Sequence, residues 1–387
     1  MSQMIRDFVA GGTEIVALGE PVHQEPACGR LAKELFTQLV ELGFASIALE
    51  TDRIAALAVD DFVREGIGTL DDVMSTGFSH DFGAREPNRA LVAWMREYNR
   101  NRPPEQRLAF YGFDAPTENT TAPSPRRYLE YARDYLGLDT DIAGLAGADE
   151  RWHREEAILD PACSVGATAE AARLRSAGED LLASLAARAA ELIAATSLAA
   201  WVRARTYLTA GLGLLRYHKA AARPGEQADR IRLLLAVRDG LMAQNVLDIR
   251  EIEAKRGGGT VLYAHNAHLQ KSPATLTMLG RDLTWIGAGA VVSSLLGDRY
   301  SFVAGSLGSS DILGLEYPGP DTYEGLCQSR VNDWGLVEVG VADTGSIRTV
   351  PPSAWAYSSL GQAVLDGADA IAHVADAAVL RAKLGES

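Results

Sequence analysis

The chain has 387 residues, 47% of them hydrophobic, with 51 acidic residues against 37 Lys and Arg and a formal net charge of −14. That length suits one large domain or a core domain carrying a substantial insertion. The acidic balance disfavours nucleic acid and membrane surfaces, whose phosphates need clustered Lys and Arg, and so points to a small-molecule partner.

An apolar run from Glu14 to Leu18 reaches Gly19 and then delivers Glu20, Pro21, Val22 and His23. It reads as a buried strand, and the residues past the carboxyl end of such a strand are where open α/β sheets place their chemistry. Arg30 to Leu42 reads as a helix, because Leu31, Leu35, Leu39 and Leu42 fall on one face and Gly43 follows. Ser46 to Leu49 forms a second strand ending on Glu50. Strand, helix and strand within about 35 residues make a βαβ unit with parallel strands. From Ala55 to Tyr98 the pattern is mostly helical, broken at Gly66–Gly68 and at the loop from Gly77 to Gly83, with Leu91, Trp94, Met95 and Tyr98 as an apolar stripe. Arg107 to Asp114 repeats the arrangement of apolar run, glycine and terminal acid, and is the third strand.

Thr117 to Pro125 reads as a linker. Between about Arg126 and Lys255 strand signals vanish and Ala, Leu, Arg and Glu recur at helical spacing, with breaks at Gly144–Gly147, near Pro161 and at Arg223–Gly225. After Gly257–Gly259, Thr260 to Tyr263 resumes the sheet and delivers His265, Asn266 and His268. Shorter strands are expected at Leu283–Gly287, Tyr300–Ala304, Val337–Val341 and Ala370–His373, with a loop over Gly305–Gly319 and a short helix from Asp376. These elements predict an α/β fold, a central mainly parallel or mixed sheet flanked by helices. The core is expected over 1–117 and 257–387, with 118–256 a large helical insertion or cap forming one wall of the active-site cleft.

Four strand exits therefore carry polar groups at one predicted edge: Glu20 with His23, then Glu50, Asp114, and His265 with His268. Turn formers alone would satisfy a strand exit, so the convergence points to chemistry. A histidine flanked by carboxylates has a fixed tautomer and suits proton abstraction from water, and a second imidazole across the site suits hydrogen bonding to an oxyanion. Taken singly, each piece has a plainer role: Glu20 and His23 at a helix start, Glu50 as a cap, His265 and His268 as structural groups or a metal pair. His80, His153, His218 and His373 lack comparable context and read as ordinary histidines. GxSxG, P-loop and GxGxxG patterns are absent, which leaves direct attack by water. Cys28, Cys163 and Cys327 lie far apart without CxxC spacing and read as buried small side chains. The N-terminal Met1 to Asp7 has no basic stretch leading into an apolar one, and no apolar run of about 18 residues occurs, so a cytoplasmic location is expected.

The same residues resemble the erythromycin esterase family. The resembling motifs are Gly19–His23 with Arg30, Ala48–Glu50, Trp94–Asn99, Tyr111–Asp114, Arg238–Asn245 and Tyr263–His268, with a weaker echo at Gly367–Ile371. The resemblance implies hydrolysis of a macrolide lactone or similar ester by histidine-activated water, without metal or other cofactor. By position His23 would be the general base, with Glu20 and Glu50 orienting it and the water, and His265 assisting at the carbonyl oxygen. Arg30, Asp114, Arg238 and His268 would be supporting or substrate-binding residues, Arg238 holding a carboxylate through its bidentate fork. Two departures stand out: Gln24-Glu25-Pro26 follows the motif histidine where relatives carry glycine, and Tyr263-Ala264 replaces a tryptophan. Two other readings stay open here. One is a metal-dependent hydrolase with His23, Glu50, His265 and His268 as zinc or manganese ligands; the other is a natural-product tailoring enzyme or binding protein that keeps the pocket.

Overall fold

The computed structural model describes residues 5–278, 281–354 and 356–385, so Met1–Met4 of the N-terminal stretch lie outside the described residues. The strands in chain order are β1 (Ile15–Glu20), β2 (Phe44–Asp52), β3 (Ala109–Asp114), β4 (Gly259–His265), β5 (Ala274–Met278), β6 (Arg281–Trp285), β7 (Tyr300–Ser309), β8 (Trp334–Val337) and β9 (Ala370–Asp376). Seven of them form one sheet in the order β3-β2-β4-β1-β7-β9-β8, while β5 and β6 make a separate antiparallel hairpin. All neighbours in the large sheet run parallel except β8 against β9.

The apolar runs form this sheet because a parallel sheet is covered on both faces and its strands have no polar side. Successive side chains sort onto opposite faces. Val16, Leu18, Ile47, Leu49, Phe110 and Val261 share one core with Leu31, Leu35 and Leu39 of helix Pro26–Glu41 and Met95 of helix Glu86–Asn99. Ile15, Ala17, Ala48, Phe113 and Leu262 share the other with Met242, Val246 and Ile249 of the 30-residue helix Gln227–Arg256. A third core belongs to the helices alone, built from Leu129, Trp152, Leu174, Leu181, Leu208 and Leu215 among others. The protein is thus an α/β fold with a helical insertion.

Several expectations shift. β4 lies between β1 and β2, so the first two strands are parallel but not adjacent. The expected helix from Arg30 begins at Pro26, because Glu25 caps it by accepting from Ala27 N–H at 3.1 Å and proline suits the first turn. The expected loop over Gly305–Gly319 begins as the last five residues of β7, all buried. The strand expected at Leu283–Gly287 is β6 of the hairpin, which leaves β5 unanticipated, and the one at Val337–Val341 is displaced to β8, with Val339–Val341 a 3-10 turn. Thr117–Pro125 is no loose spacer, since Thr117 and Ala122 are buried. Cys28 and Cys327 are buried as expected, but Cys163 is partly exposed.

Two irregularities mark the carboxyl edge of the sheet. Between β1 and β7 the paired register ends at Leu18 opposite Val303, and the Asn266 amide is inserted beyond it, donating to Gly305 C=O and accepting from Gly305 N–H, both at 2.9 Å. A Cβ on Gly19 would meet Asn266 Oδ1 at 2.0 Å, so this wedge requires glycine there. Between β2 and β3 the register steps from Leu49 opposite Gly112 to Asp52 opposite Asp114, an extra residue on β2 that forms a bulge at Glu50–Thr51. Bulges re-aim side chains, and this one carries Glu50.

The bulge packs so closely on Gly112 that a Cβ there would lie 2.4 Å from Thr51 O and 2.7 Å from Asp52 O. Gly112→Ala is therefore expected to destabilise the protein by about 2 kcal/mol through a backbone clash. Gly240→Ala, inside a helix with nothing within 4 Å of the new methyl, is expected to stabilise it by roughly 0.5–1 kcal/mol. Urea unfolding of the two variants beside the wild type checks both signs.

Candidate active site

The exits of β1, β2, β3 and β4 bring Glu20, Glu50, Asp114 and His265 to one edge of the sheet, as their spacing in the sequence predicts. His23 lies in the turn after β1, and its Nδ1 donates to Glu20 Oε1 at 2.6 Å. The other Glu20 oxygen accepts from the Tyr263 hydroxyl. Burial and the neighbouring Glu20 push that phenol well above its usual range, which keeps it a donor. With Nδ1 committed, Nε2 is the nitrogen that keeps a lone pair, and it stands 3.8 Å from Glu50 Oε2, beyond hydrogen-bond reach. His23 retains 25% side-chain exposure, whereas Glu50 has 4%.

Glu50 is the hub. Its Oε1 accepts from Arg238 Nη2 at 3.1 Å and faces His268 Nε2 at 3.2 Å, while Oε2 accepts the His265 backbone N–H at 3.0 Å. Burial works to raise its pKa, but the charges of His268, His23 and Arg238 outweigh this and hold it well below the ordinary carboxylate range. His268 donates from Nδ1 to Asp239 Oδ1 at 2.9 Å; burial opposes its charge, yet Asp239 and Glu50 lift it to about 10. Asp239 is held in turn by Trp285 Nε1 at 2.7 Å and Ala288 N at 2.8 Å.

Arg238 also forks onto Asp114, with Nε at 2.9 Å from Oδ1. Asp114 is fully buried; burial alone would raise its pKa, and Arg238 with His80 bring it down to about 2. His80 meets Asp114 Oδ2 at 3.1 Å and Glu118 Oε2 at 2.8 Å. Burial opposes the His80 charge as well, but these two acids raise it to about 9. His265 behaves oppositely: its Nε2 meets Pro21 C=O at 3.3 Å and its Nδ1 accepts from Ala267 N–H at 3.2 Å, and burial together with His23 lowers it to about 3. Its ring is neutral at physiological pH and packs at 5.4 Å from that of His23.

A cavity of about 360 Å³ opens over Glu20, His23 and Glu50 and is walled by Phe82, Arg85 and Pro87. Arg85 stacks over Phe82 at 4.2 Å. None of this cavity's lining residues comes from 118–256, so the helical segment reaches the site through Arg238 and Asp239 beneath the charged cluster. Arg30 is the one expected site residue that lies apart: it pairs with Glu86 at 2.9 Å and donates to the Arg381 carbonyl, tying two helices together. In Gln24-Glu25-Pro26, Glu25 is buried as helix cap and pairs with Arg381 Nη1 at 2.6 Å.

Asp239, Tyr263 and His80 escaped the reading of the sequence as site residues. Asp239 follows Arg238 directly, and an adjacent acid and base inside a helix otherwise rich in apolar positions is the available signal. His80 sits between Phe78 and Phe82 in a loop bounded by Gly77 and Gly83, where His80 and Asp81 both take left-handed backbone with φ of 58° and 57°. For the metal reading, both nitrogens of His268 and both of His265 are spent on hydrogen bonds. Among the described residues no group of three or more His, Cys, Asp or Glu is arranged to hold a metal ion.

Three solved structures match nearly the whole chain at low identity, which shows a shared fold. One is a Bacillus cereus protein, with TM-score 0.71 at 17% identity over 96% of this chain and 90% of that one. Another is a succinoglycan biosynthesis protein, with TM-score 0.68 at 16% identity over 96% and 90%. A mutant of the erythromycin esterase EreC in its open conformation gives TM-score 0.64 at 20% identity over 95% and 91%. No curated protein matches by sequence. The family model Erythromycin esterase matches residues 39–369, a span that holds Glu50, Asp114, Arg238, His265 and His268 and begins after Glu20, His23 and Arg30. With most of its length matched in this way, the chain belongs to the erythromycin esterase family.

Proposed function

We propose that the protein hydrolyses an ester or macrolactone in a bulky natural product, with His23 as general base on water. The observation that carries this reading is the Glu20–His23 pair at 2.6 Å, which leaves Nε2 as the lone-pair nitrogen at the mouth of the cavity. Water placed beside Nε2 and Glu50 loses a proton to the imidazole as it attacks the substrate carbonyl, and the imidazole then returns that proton to the leaving alkoxide. Glu20 stabilises the imidazolium in between. Glu50 orients the water and is kept ionised by Arg238 and His268, so it accepts hydrogen bonds and donates none. Arg238, Asp114 and His80 form the supporting network behind it.

His265 takes a different part from assistance at the carbonyl oxygen, because its ring N–H is committed to Pro21 and its backbone N–H to Glu50. It positions the β1 turn and the hub carboxylate together. The positive charge on the cavity wall is Arg85, which we assign to the developing oxyanion. The mechanism draws no metal ligand from this cluster, since its imidazoles other than His23 have no free lone pair to offer. Macrolide antibiotics are the natural first substrates to test, a choice supported by family membership. Among the described residues no helix is long and apolar enough to cross a membrane.

Hydrolysis of a macrolide panel, followed as the mass gain of one water, should fall by about 10²–10⁴-fold in His23→Ala with the fold retained. Glu20→Gln should lose kcat to a similar degree, because the tautomer is no longer fixed. Activity surviving His23→Ala would sink the mechanism. The network makes a separate, pH-dependent prediction. His80 and His268 are held protonated to about 9 and about 10 against an ordinary 6.5, so their stabilisation is complete below about pH 6.5 and is lost as pH rises through those folded-state values. Wild-type resistance to urea should decline between about pH 7 and 10, and His80→Asn should decline less steeply. Parallel pH profiles for the two proteins would contradict the assignment.

A further inference from the structure

A second cavity, of about 570 Å³, lies away from His23 between helices Ala56–Glu65, Leu198–Ala221 and Gln227–Arg256 and the edge strand β3. Its wall includes Leu57, Phe110, Val202 and Ile252, which give it an apolar body. Arg53, 5% exposed, is also in the wall. A buried guanidinium normally spends its N–H groups on carboxylates or carbonyls. Arg53 spends one: Nη1 donates to Asn245 C=O at 2.9 Å. Its Nε is buried and has no hydrogen-bond partner among the described residues, and no bond from Nη2 is formed with them either.

The nearby acids are already committed: Asp60, in the wall, accepts from Phe110 N–H at 3.0 Å and faces Arg64 at 3.7 Å. Asp248 pairs with Arg205 at 2.9 Å. The other cations around the cavity each have an acid, Arg203 with Asp61 at 2.5 Å, Arg256 with Glu253 at 2.7 Å, Lys255 with Glu251 at 3.1 Å and Arg64 with Asp60 at 3.7 Å. Burial consequently lowers the Arg53 pKa from its usual height, Asp248 compensating only in part. A guanidinium buried without a counter-charge is costly, and an anion offered to its unspent edge removes that cost. Nε is shut off from the cavity, which leaves Nη2 as the donor that a carboxylate can reach through a charge-assisted hydrogen bond. A volume of this size holds a ligand of some tens of heavy atoms.

We propose that this cavity is a second binding site, for an apolar monocarboxylate whose head group pairs with Nη2 of Arg53 and whose tail lies against Leu57, Phe110, Val202 and Ile252. The site is independent of the hydrolytic reading. Its position allows it to act on the catalytic cluster, because Asn245, which holds Arg53, also donates to Phe113 C=O at 3.0 Å and sits on the helix that carries Arg238.

Isothermal titration of the intact protein with decanoate, and with the neutral isostere decanamide, tests the proposal. Decanoate is expected to bind saturably and at least about tenfold more tightly than decanamide, the difference made by one charge-assisted hydrogen bond. Arg53→Met should remove that preference. Because Arg53 is buried and its loss can compromise folding, Val202→Trp, which fills the cavity from a partly exposed position, provides the second variant and should weaken decanoate binding at least tenfold while leaving the melting temperature near wild type. Absence of saturable binding to the wild type, equal affinity for decanamide, or decanoate binding unaffected by Val202→Trp would each overturn the proposal.

Discussion

The structure depends on keeping one carboxylate charged where water barely reaches. Glu50 has 4% of its side chain exposed, and an isolated ion in that position would take up a proton to escape the desolvation cost. It stays ionised because Arg238, His268 and the His265 backbone N–H surround it, so every residue that holds one of these groups becomes part of the site. Arg238 is fixed by Asp114, Asp114 by His80, His80 by Glu118, and His268 by Asp239. Charges alternate along this chain, each offsetting the desolvation of the next. Removing a single member of such a buried network leaves an uncompensated charge, a loss of roughly 3–5 kcal/mol.

That requirement explains the arrangement of the fold. The chain reverses its direction across the sheet beside β1 and β4, the place where open α/β sheets form a crevice. The Asn266 amide and the bulge at Glu50–Thr51 lie at the same edge. The helical insertion contributes from below, with Arg238 and Asp239 on the one helix long enough to run from the insertion to the sheet. His23 differs from the rest of the cluster. It is the imidazole whose second nitrogen borders the cavity, 3.8 Å from the Glu50 carboxylate and beyond hydrogen-bond reach of it, a suitable state for a base that must bind and release a proton in each cycle.

The strands and their polar exits were legible in the sequence because parallel strands buried on both faces read as uninterrupted apolar runs, and an acid or histidine at the end of such a run is conspicuous. Ile15–Glu20, Ala109–Asp114 and Gly259–His265 are of this kind. Strand order was not legible: nothing local in Thr260–Tyr263 states that it inserts between the first two strands, since that is decided by how helices pack across the whole sheet. The remainder of β7 was hidden because Gly305, Ser306, Gly308 and Ser309 look like loop residues; they are strand because of close backbone approach, with a Cβ at Gly305 lying 2.1 Å from Gly19 O. The motif histidines and acids come together in one cluster, but Arg30 does not join them, since a guanidinium on a helix face reaches whichever carboxylate folding brings near, here Glu86. His80 and Asp239 were invisible for the converse reason, their partners being far apart in sequence.

The central claim concerns where the proton on His23 resides, which long-range proton–nitrogen correlation spectra of histidine-labelled protein report directly. The account predicts that the neutral His23 ring carries its proton on Nδ1 with a bare Nε2, and that at about pH 8 His265 is neutral while His80 and His268 are protonated on both nitrogens. A His23 carrying its proton on Nε2, with Nδ1 bare, would contradict it, because no lone pair would then face the water.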